Sequence, residues 1–131
     1  MRASSVERVT SETSIRVLLE IDGPSEARID TGVGFFDHML DAFIRHGCFG
    51  ADIEARGDVQ VDDHHTVEDV GIAMGRAFRE ALGDKRGIRR FGTTFVPMDE
   101  SLVMACVDIS GRGQAFYDVC LLYTSDAADD M

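Results

Sequence analysis

The sequence predicts an α+β fold, a sheet with helices on one face. Three observations carry that reading. Strand-like segments, a helical pattern, another strand, a longer helical pattern and further strands follow one another in that order. Both helical patterns stop at a glycine, Gly47 and Gly83. The 131 residues are 44% hydrophobic and 28% charged, the mix of a globular domain with a core of its own.

Residues 6 to 22 predict two strands. Ile15-Arg16-Val17-Leu18-Leu19-Glu20-Ile21 alternates in part and is rich in branched side chains, and Asp22-Gly23-Pro24-Ser25 is turn chemistry. A short strand is expected over Ala27 to Asp30. Thr31-Gly32-Val33-Gly34 is then a loop that uses glycine freedom. From Phe35 to His46, Phe36, Met39, Leu40 and Phe43 recur at helical spacing, with Asp37 as a capping residue. Residues 49 to 55 predict a strand and Arg56-Gly57-Asp58 a turn. The long helix runs from about His64 to Leu82, with Asp62 or Asp63 capping its first amides. Its apolar stripe is Val67, Val70, Met74, Phe78 and Ala81, while Asp69, Arg76 and Glu80 face water. Residues 93–97 and 101–109 predict two strands, and 114–122 one more. By this pattern residues 1–84 form a first α+β repeat and 85–118 open a second unit like it. Residues 119–131, small and acidic, are expected to be a disordered tail.

A net charge of −11 disfavours nucleic acid and anionic membranes as partners. No apolar run approaches the length of a membrane span, and Met1-Arg2-Ala3-Ser4-Ser5 has no apolar core behind it, so no secretory signal is read there. Cys48, Cys106 and Cys120 are odd in number and widely spaced. They are read as reduced, buried apolar residues of a cytoplasmic protein.

The richest chemistry is Asp62-Asp63-His64-His65-Thr66-Val67-Glu68-Asp69. On a helix, Glu68 lies one turn from both histidines, so imidazole and carboxylate converge on one patch. That donor set suits manganese, iron or zinc, and flanking aspartates can fix the imidazole tautomers. Adjacent helical residues point about 100° apart. His64 and His65 are therefore expected to serve two different ions, or an ion and a neighbouring subunit's site. His38, in Phe35-Phe36-Asp37-His38-Met39-Leu40, is either a further ligand or a packed histidine, and His46 complements the end of its helix. Lys85-Arg86-Gly87-Ile88-Arg89-Arg90 is a basic cluster suited to phosphate, and Ser110-Gly111-Arg112-Gly113 offers another guanidinium. Glu12, after Thr10-Ser11, reads by pattern alone as an exposed strand residue.

Several of these segments occur in one order. They are Ser11-Glu12-Thr13, Thr31 to Leu40, the octet, Ala81-Leu82-Gly83-Asp84-Lys85, Arg90-Phe91-Gly92, Pro97-Met98-Asp99-Glu100 and Asp108-Ile109-Ser110-Gly111-Arg112. In this the chain, from about Arg8 to Arg112, resembles the imidazoleglycerol-phosphate dehydratases of histidine biosynthesis. The resemblance implies a duplicated unit of the ribosomal protein S5 domain 2-like type, assembled into a cubic homo-oligomer of twenty-four subunits with active sites at subunit interfaces. It implies two Mn2+ ions per site, with His38, His64, His65 and Glu68 as metal ligands. Those four residues, with Glu12, Arg90 and Arg112, would contact a small phosphorylated imidazole substrate. Glu12 and Glu68 would be the catalytic carboxylates, and Arg90 and Arg112 would meet the phosphate. The implied reaction is a hydro-lyase step, in which imidazoleglycerol phosphate loses water to give imidazoleacetol phosphate.

The family's second His-His…Glu motif has no counterpart here, because the four histidines are His38, His46, His64 and His65. After about Asp118 the likeness stops, and residues 119–131 are read as a tail foreign to the family on a shortened chain. Such a chain is expected to be inactive on its own and poorly stable. The alternative function is a non-catalytic metal-binding or assembly module of the same fold. A weaker one is a metal-dependent phosphate-releasing hydrolase.

Overall fold

Alternation of branched and polar residues over Thr13 to Glu20 makes one face of a strand apolar, and the rest of the first unit is built to cover it. In a computed structural model that describes residues 1–119, the elements are β1 (Ala3–Val9), β2 (Thr13–Glu20), β3 (Ala27–Asp30), α1 (Gly34–His46), β4 (Gly50–Gly57), α2 (His64–Leu82), β5 (Phe91–Met98) and β6 (Ser101–Asp108). The chain divides into two units, Met1–Arg86 and Gly87–Met131.

The first unit is a four-stranded sheet of order β1-β2-β4-β3. β1 and β4 flank β2 antiparallel, with Val17 opposite both Val6 and Ile53, and β3 pairs parallel with β4. A parallel neighbour needs a crossover, and α1 supplies it between β3 and β4. Val6, Ile15, Val17, Leu19, Ile53 and Ala55 form one buried face. Leu40 of α1 and Val70, Ala73, Ala77 and Ala81 of α2 lie in the same cluster, so both helices cover that face. Each large aliphatic side chain buried there contributes about 2 kcal/mol. The small side chains of α2 let the helix approach the sheet closely. The opposite face is polar: Arg16 bridges to Glu54 at 3.2 Å, and Arg56 reaches Asp30 at 3.2 Å and Glu54 at 3.7 Å. An α+β layer with helices on one face is thus the observed architecture.

Both helices are rotated relative to the stripes read from sequence. On α1 the buried residues are Leu40 and Ile44, whereas Met39 and Phe43 are about half exposed. Phe43 instead joins an aromatic edge with Phe49 and Phe78, at centroid separations of 5.8 and 6.0 Å. On α2 the buried face is Thr66, Asp69, Val70, Ala73, Ala77 and Ala81, and Val67 is exposed. Asp69 therefore does not face water. Hydrogen bonds from the sheet to its carboxylate outweigh the preference of a charge for solvent.

Asp37 does not cap α1. It accepts the Thr31 amide at 2.9 Å and the Thr31 hydroxyl, locking the loop that enters the helix, while Val33 is the N-cap. Gly32, at φ 83°, occupies the left-handed conformation that this loop requires. At the other end of α1 the left-handed residue is Cys48 (φ 59°), and Gly47 stays right-handed. The amide of His64 finds its cap in Asp62 at 2.8 Å.

The described second unit is an antiparallel hairpin of β5 and β6, with Thr94 opposite Ala105 and every residue of both strands exposed. Of the strand expected over 114–122, residues 114–119 are irregular and the remainder lie outside the described residues, as do 120–131 of the expected tail. Cys48 and Cys106 are exposed, contrary to their reading as buried residues, because one sits just past a helix end and the other on the uncovered hairpin. No described helix is long and apolar enough to cross a membrane.

Candidate functional site

The octet unfolds its chemistry at the first turn of α2. His64 Nε2 lies 3.1 Å from Glu68 Oε2, one helical turn on, with both side chains more than half exposed. His65 turns the other way. Its Nδ1 lies 2.8 Å from Asp58 Oδ2, on the loop after β4. The rings stand edge to face with centroids 5.5 Å apart. Glu68 thus partners one histidine and not both, as the 100° step between neighbouring helical residues requires.

The sequence pattern assigns Asp58 only to a turn. It precedes His65 by seven residues, so no helical periodicity links them. The signal available was an acidic residue in the loop just before a histidine-bearing helix start. A carboxylate can only accept, so Nδ1 of His65 carries the proton in this bond. A carboxylate behind an imidazole fixes the tautomer and raises its basicity as a ligand. The Asp58 hydrogen bond, then the charges of Asp58, Glu12 and Asp62, hold the His65 pKa above its ordinary value against an opposing desolvation.

Glu12 is not a strand residue. It occupies the turn between β1 and β2, where its Oε2 lies 3.3 Å from Thr10 Oγ1 and its amide donates to the same oxygen at 3.2 Å. Its influence on His65 brings it into the electrostatic neighbourhood of the octet. Beneath the turn, Thr13 donates to Asp69 at 2.5 Å and Arg8 to the same carboxylate at 3.2 Å. The Thr13 bond, foremost, and Arg8 hold the Asp69 pKa below the usual carboxylate range, against desolvation.

His38 is exposed on the second turn of α1. His46 bonds through Nδ1 to the Ala42 carbonyl at 2.8 Å, a structural role at the helix end. Among the described residues no three His, Cys, Asp or Glu side chains gather into a metal-holding group. The structure brings together His64 with Glu68 and His65 with Asp58, and it does not gather His38, His64, His65 and Glu68 around one point.

The arginines belong to the second unit. Arg90 is clamped on Asp108 at 2.6 and 3.3 Å and lies 4.9 Å from the Phe91 ring centroid. The hydrogen bond from Arg90, foremost, and the charges of Arg90 and Arg112 hold the Asp108 pKa below its usual value, and Arg90 is raised in turn. Arg90 holds that carboxylate directly, and Arg112 acts on it only through its charge.

The scaffold is that of an α+β protein, with imidazole–carboxylate pairs at the start of α2. A sequence model of the imidazoleglycerol-phosphate dehydratase family matches residues 31–129. The chain is 58% identical over 120 residues to the imidazoleglycerol-phosphate dehydratase of Geobacter metallireducens, covering 92% of this chain and 62% of that protein. It is 56% identical over 118 residues to that of Lacticaseibacillus casei, covering 90% and 61%. The crystal structure of imidazoleglycerol-phosphate dehydratase from Staphylococcus aureus superposes with a TM-score of 0.70 at 40% identity, covering 84% of this chain and 59% of that one. The chain belongs to the imidazoleglycerol-phosphate dehydratase family, and it spans about 60% of the length of these relatives.

Proposed function

We propose that this chain carries the N-terminal share of a manganese-dependent hydro-lyase that dehydrates imidazoleglycerol phosphate to imidazoleacetol phosphate in cytoplasmic histidine biosynthesis. The carrying observation is the first turn of α2, where His64 meets Glu68 at 3.1 Å and His65 is backed by Asp58 at 2.8 Å. Two nitrogen donors with adjacent carboxylates match the chemistry of manganese, iron or zinc. His38, His64, His65 and Glu68 would hold the metal. When bound, it would supply Lewis-acid polarisation of the substrate's imidazole.

The chain's own residues would do the rest. Glu12 and Glu68 would move protons at the reacting carbons, and the charge of Glu12 is already felt at His65. Arg90, freed from Asp108, and Arg112 would bind the phosphate and fix the substrate's orientation. The described donors fall into two-member groups, so each ion's shell would be completed by side chains from elsewhere, consistent with a site shared between subunits of a large homo-oligomer. The first unit would be one copy of a duplicated S5 domain 2-like unit. In support, each unit opens with an antiparallel pair joined by a short turn, β1–β2 and β5–β6.

Calorimetric titration of the 131-residue chain with Mn2+, followed by an assay with imidazoleglycerol phosphate, tests this. Binding is expected in the wild type and lost in His64→Ala and Glu68→Ala. Asp58→Ala is expected to weaken it about 10–100-fold, the usual effect of removing a carboxylate behind a ligating imidazole. The chain alone is expected to bind metal without turnover. Metal binding indifferent to both His64→Ala and Glu68→Ala would sink the reading. Release of inorganic phosphate would favour a hydrolase instead.

A further inference from the structure

We propose that Asp69 is a positioning residue, which sets the Glu12 carboxylate beside the histidine-bearing end of α2 through a directed chain of hydroxyls, Thr13 and Thr10. The proposal rests on the role given to Glu12 above and adds residues to which that role assigns nothing.

Asp69 and Thr13 are buried, at 7% and 4% exposure. They bridge 56 residues of sequence and tie the start of β2 to the first turns of α2. The direction of each proton follows from what each group can do. The Asp69 carboxylate only accepts, so the single Thr13 hydroxyl proton goes to it, at 2.5 Å. Thr13 Oγ1 has then no proton left, so toward Thr10 Oγ1, at 3.1 Å, it can only accept. The Thr10 hydroxyl proton is thereby aimed between two acceptors, Thr13 Oγ1 and, at 3.3 Å, Glu12 Oε2. Thr10 Oγ1 also accepts the amides of Glu12 at 3.2 Å and Thr13 at 3.1 Å, which closes the turn around that one oxygen. Arg8 Nε, 3.2 Å from the other Asp69 oxygen, balances the buried charge.

The consequence is geometric. Asp69 follows Glu68 directly on α2, so the helical turn that carries His64, His65 and Glu68 also anchors the turn that carries Glu12. A shift of either element is transmitted to the other through two hydroxyls.

Hydrogen exchange of backbone amides in the 131-residue chain, read by NMR without metal or substrate, tests the chain directly. Thr13→Val keeps the shape and removes the hydroxyl. The Glu12 amide is expected to exchange about 10-fold faster, while the amides pairing β2 with β4 keep their protection. Thr13→Ser restores the hydroxyl and is expected to behave as wild type. If Thr13→Val proves too unstable to study, Thr10→Ala against Thr10→Ser breaks the last link with the Asp69 bond intact, and the same split is expected. Glu12 exchange unchanged in the hydroxyl-free variants, or equally raised in the serine variants, overturns the proposal.

Calorimetry adds a readout that a merely structural role would not divide. Thr13→Val is expected to weaken imidazoleglycerol phosphate binding to the Mn2+-loaded chain about 10-fold and to leave Mn2+ affinity unchanged. An equal loss of both overturns the proposal. If the wild-type chain binds Mn2+ and no imidazoleglycerol phosphate, the functional reading fails, and the exchange result alone decides the positioning role.

Discussion

β2 and β5 are eight-residue strands, each paired along its length, yet they differ completely in burial. In β2, Ile15, Val17 and Leu19 are at most 2% exposed, while the residues between them face solvent. In β5, the neighbours Phe95 and Val96 are 60% and 56% exposed, so neither face is favoured. Pairing is satisfied in both strands. What β2 has in addition is α2, whose small residues Ala73, Ala77 and Ala81 close onto the sheet. A two-stranded hairpin is marginal by its ladder alone, and a layer that packs on it is what converts alternation into a core.

Three measurements test this contrast. The largest effect is expected from truncating the two kinds of strand. Ile15→Ala should cost about 2–5 kcal/mol as a buried large-to-small change. Val103→Ala, on the exposed β6, should stay within about 0.5 kcal/mol. Urea unfolding of the 131-residue chain reads both, and similar losses would mean that the hairpin carries a core of its own.

A smaller effect separates two glycines. A Cβ at Gly57, the last residue of β4, would stand 2.1 Å from the Thr66 hydroxyl, whereas one at Gly92 in β5 meets nothing within 4 Å. Gly57→Ala is expected to destabilise by about 1–3 kcal/mol through overpacking. Adding Thr66→Ala should recover part of that loss. Gly92→Ala should be neutral or stabilise by up to about 1 kcal/mol, because it stiffens the unfolded chain. Equal midpoints for the two single variants would contradict the difference in packing.

The smallest effect concerns the paired carboxylates at the surface of each unit. Asp22 is held below its usual pKa by hydrogen bonds from Arg2, and Asp108 by those from Arg90. A carboxylate depressed in the folded state contributes stability above its unfolded pKa of about 3.9, and loses it as pH falls through the folded value. Melting temperatures between pH 5 and pH 2 should therefore fall less in Asp22→Asn than in wild type. Molar salt should shrink the difference, since the pair is exposed. For Asp108→Asn the same comparison is read from the β5 and β6 amides. Acid sensitivity identical in wild type and variant would remove the pairs from the account.

Much of the fold is legible from local signals. The bounds of α2, His64 to Leu82, follow from an acidic cap before the histidines and Gly83 after the last apolar residue. Ala27 to Asp30 reads as a short strand because turn residues flank it on both sides. The rotation of each helix is not legible, because on α2 apolar residues occupy more than one side and only packing selects among them. Val67 and Val70 are equally apolar, yet the sheet takes Val70 and Asp69 and leaves Val67 outside.

The candidate site divides along the same line. Local pattern in the sequence is enough to set two histidines and a glutamate at a helix start, because helical spacing is a local property of the backbone. It also determined that neighbouring histidines point apart, for the same reason. The folded structure alone sets Asp58 behind His65 and turns Asp69 inward to Thr13 and Arg8. Those partners come from other elements, up to 61 residues away along the chain. A buried carboxylate takes whichever donors the folded sheet presents, and no periodicity in the sequence records which they will be.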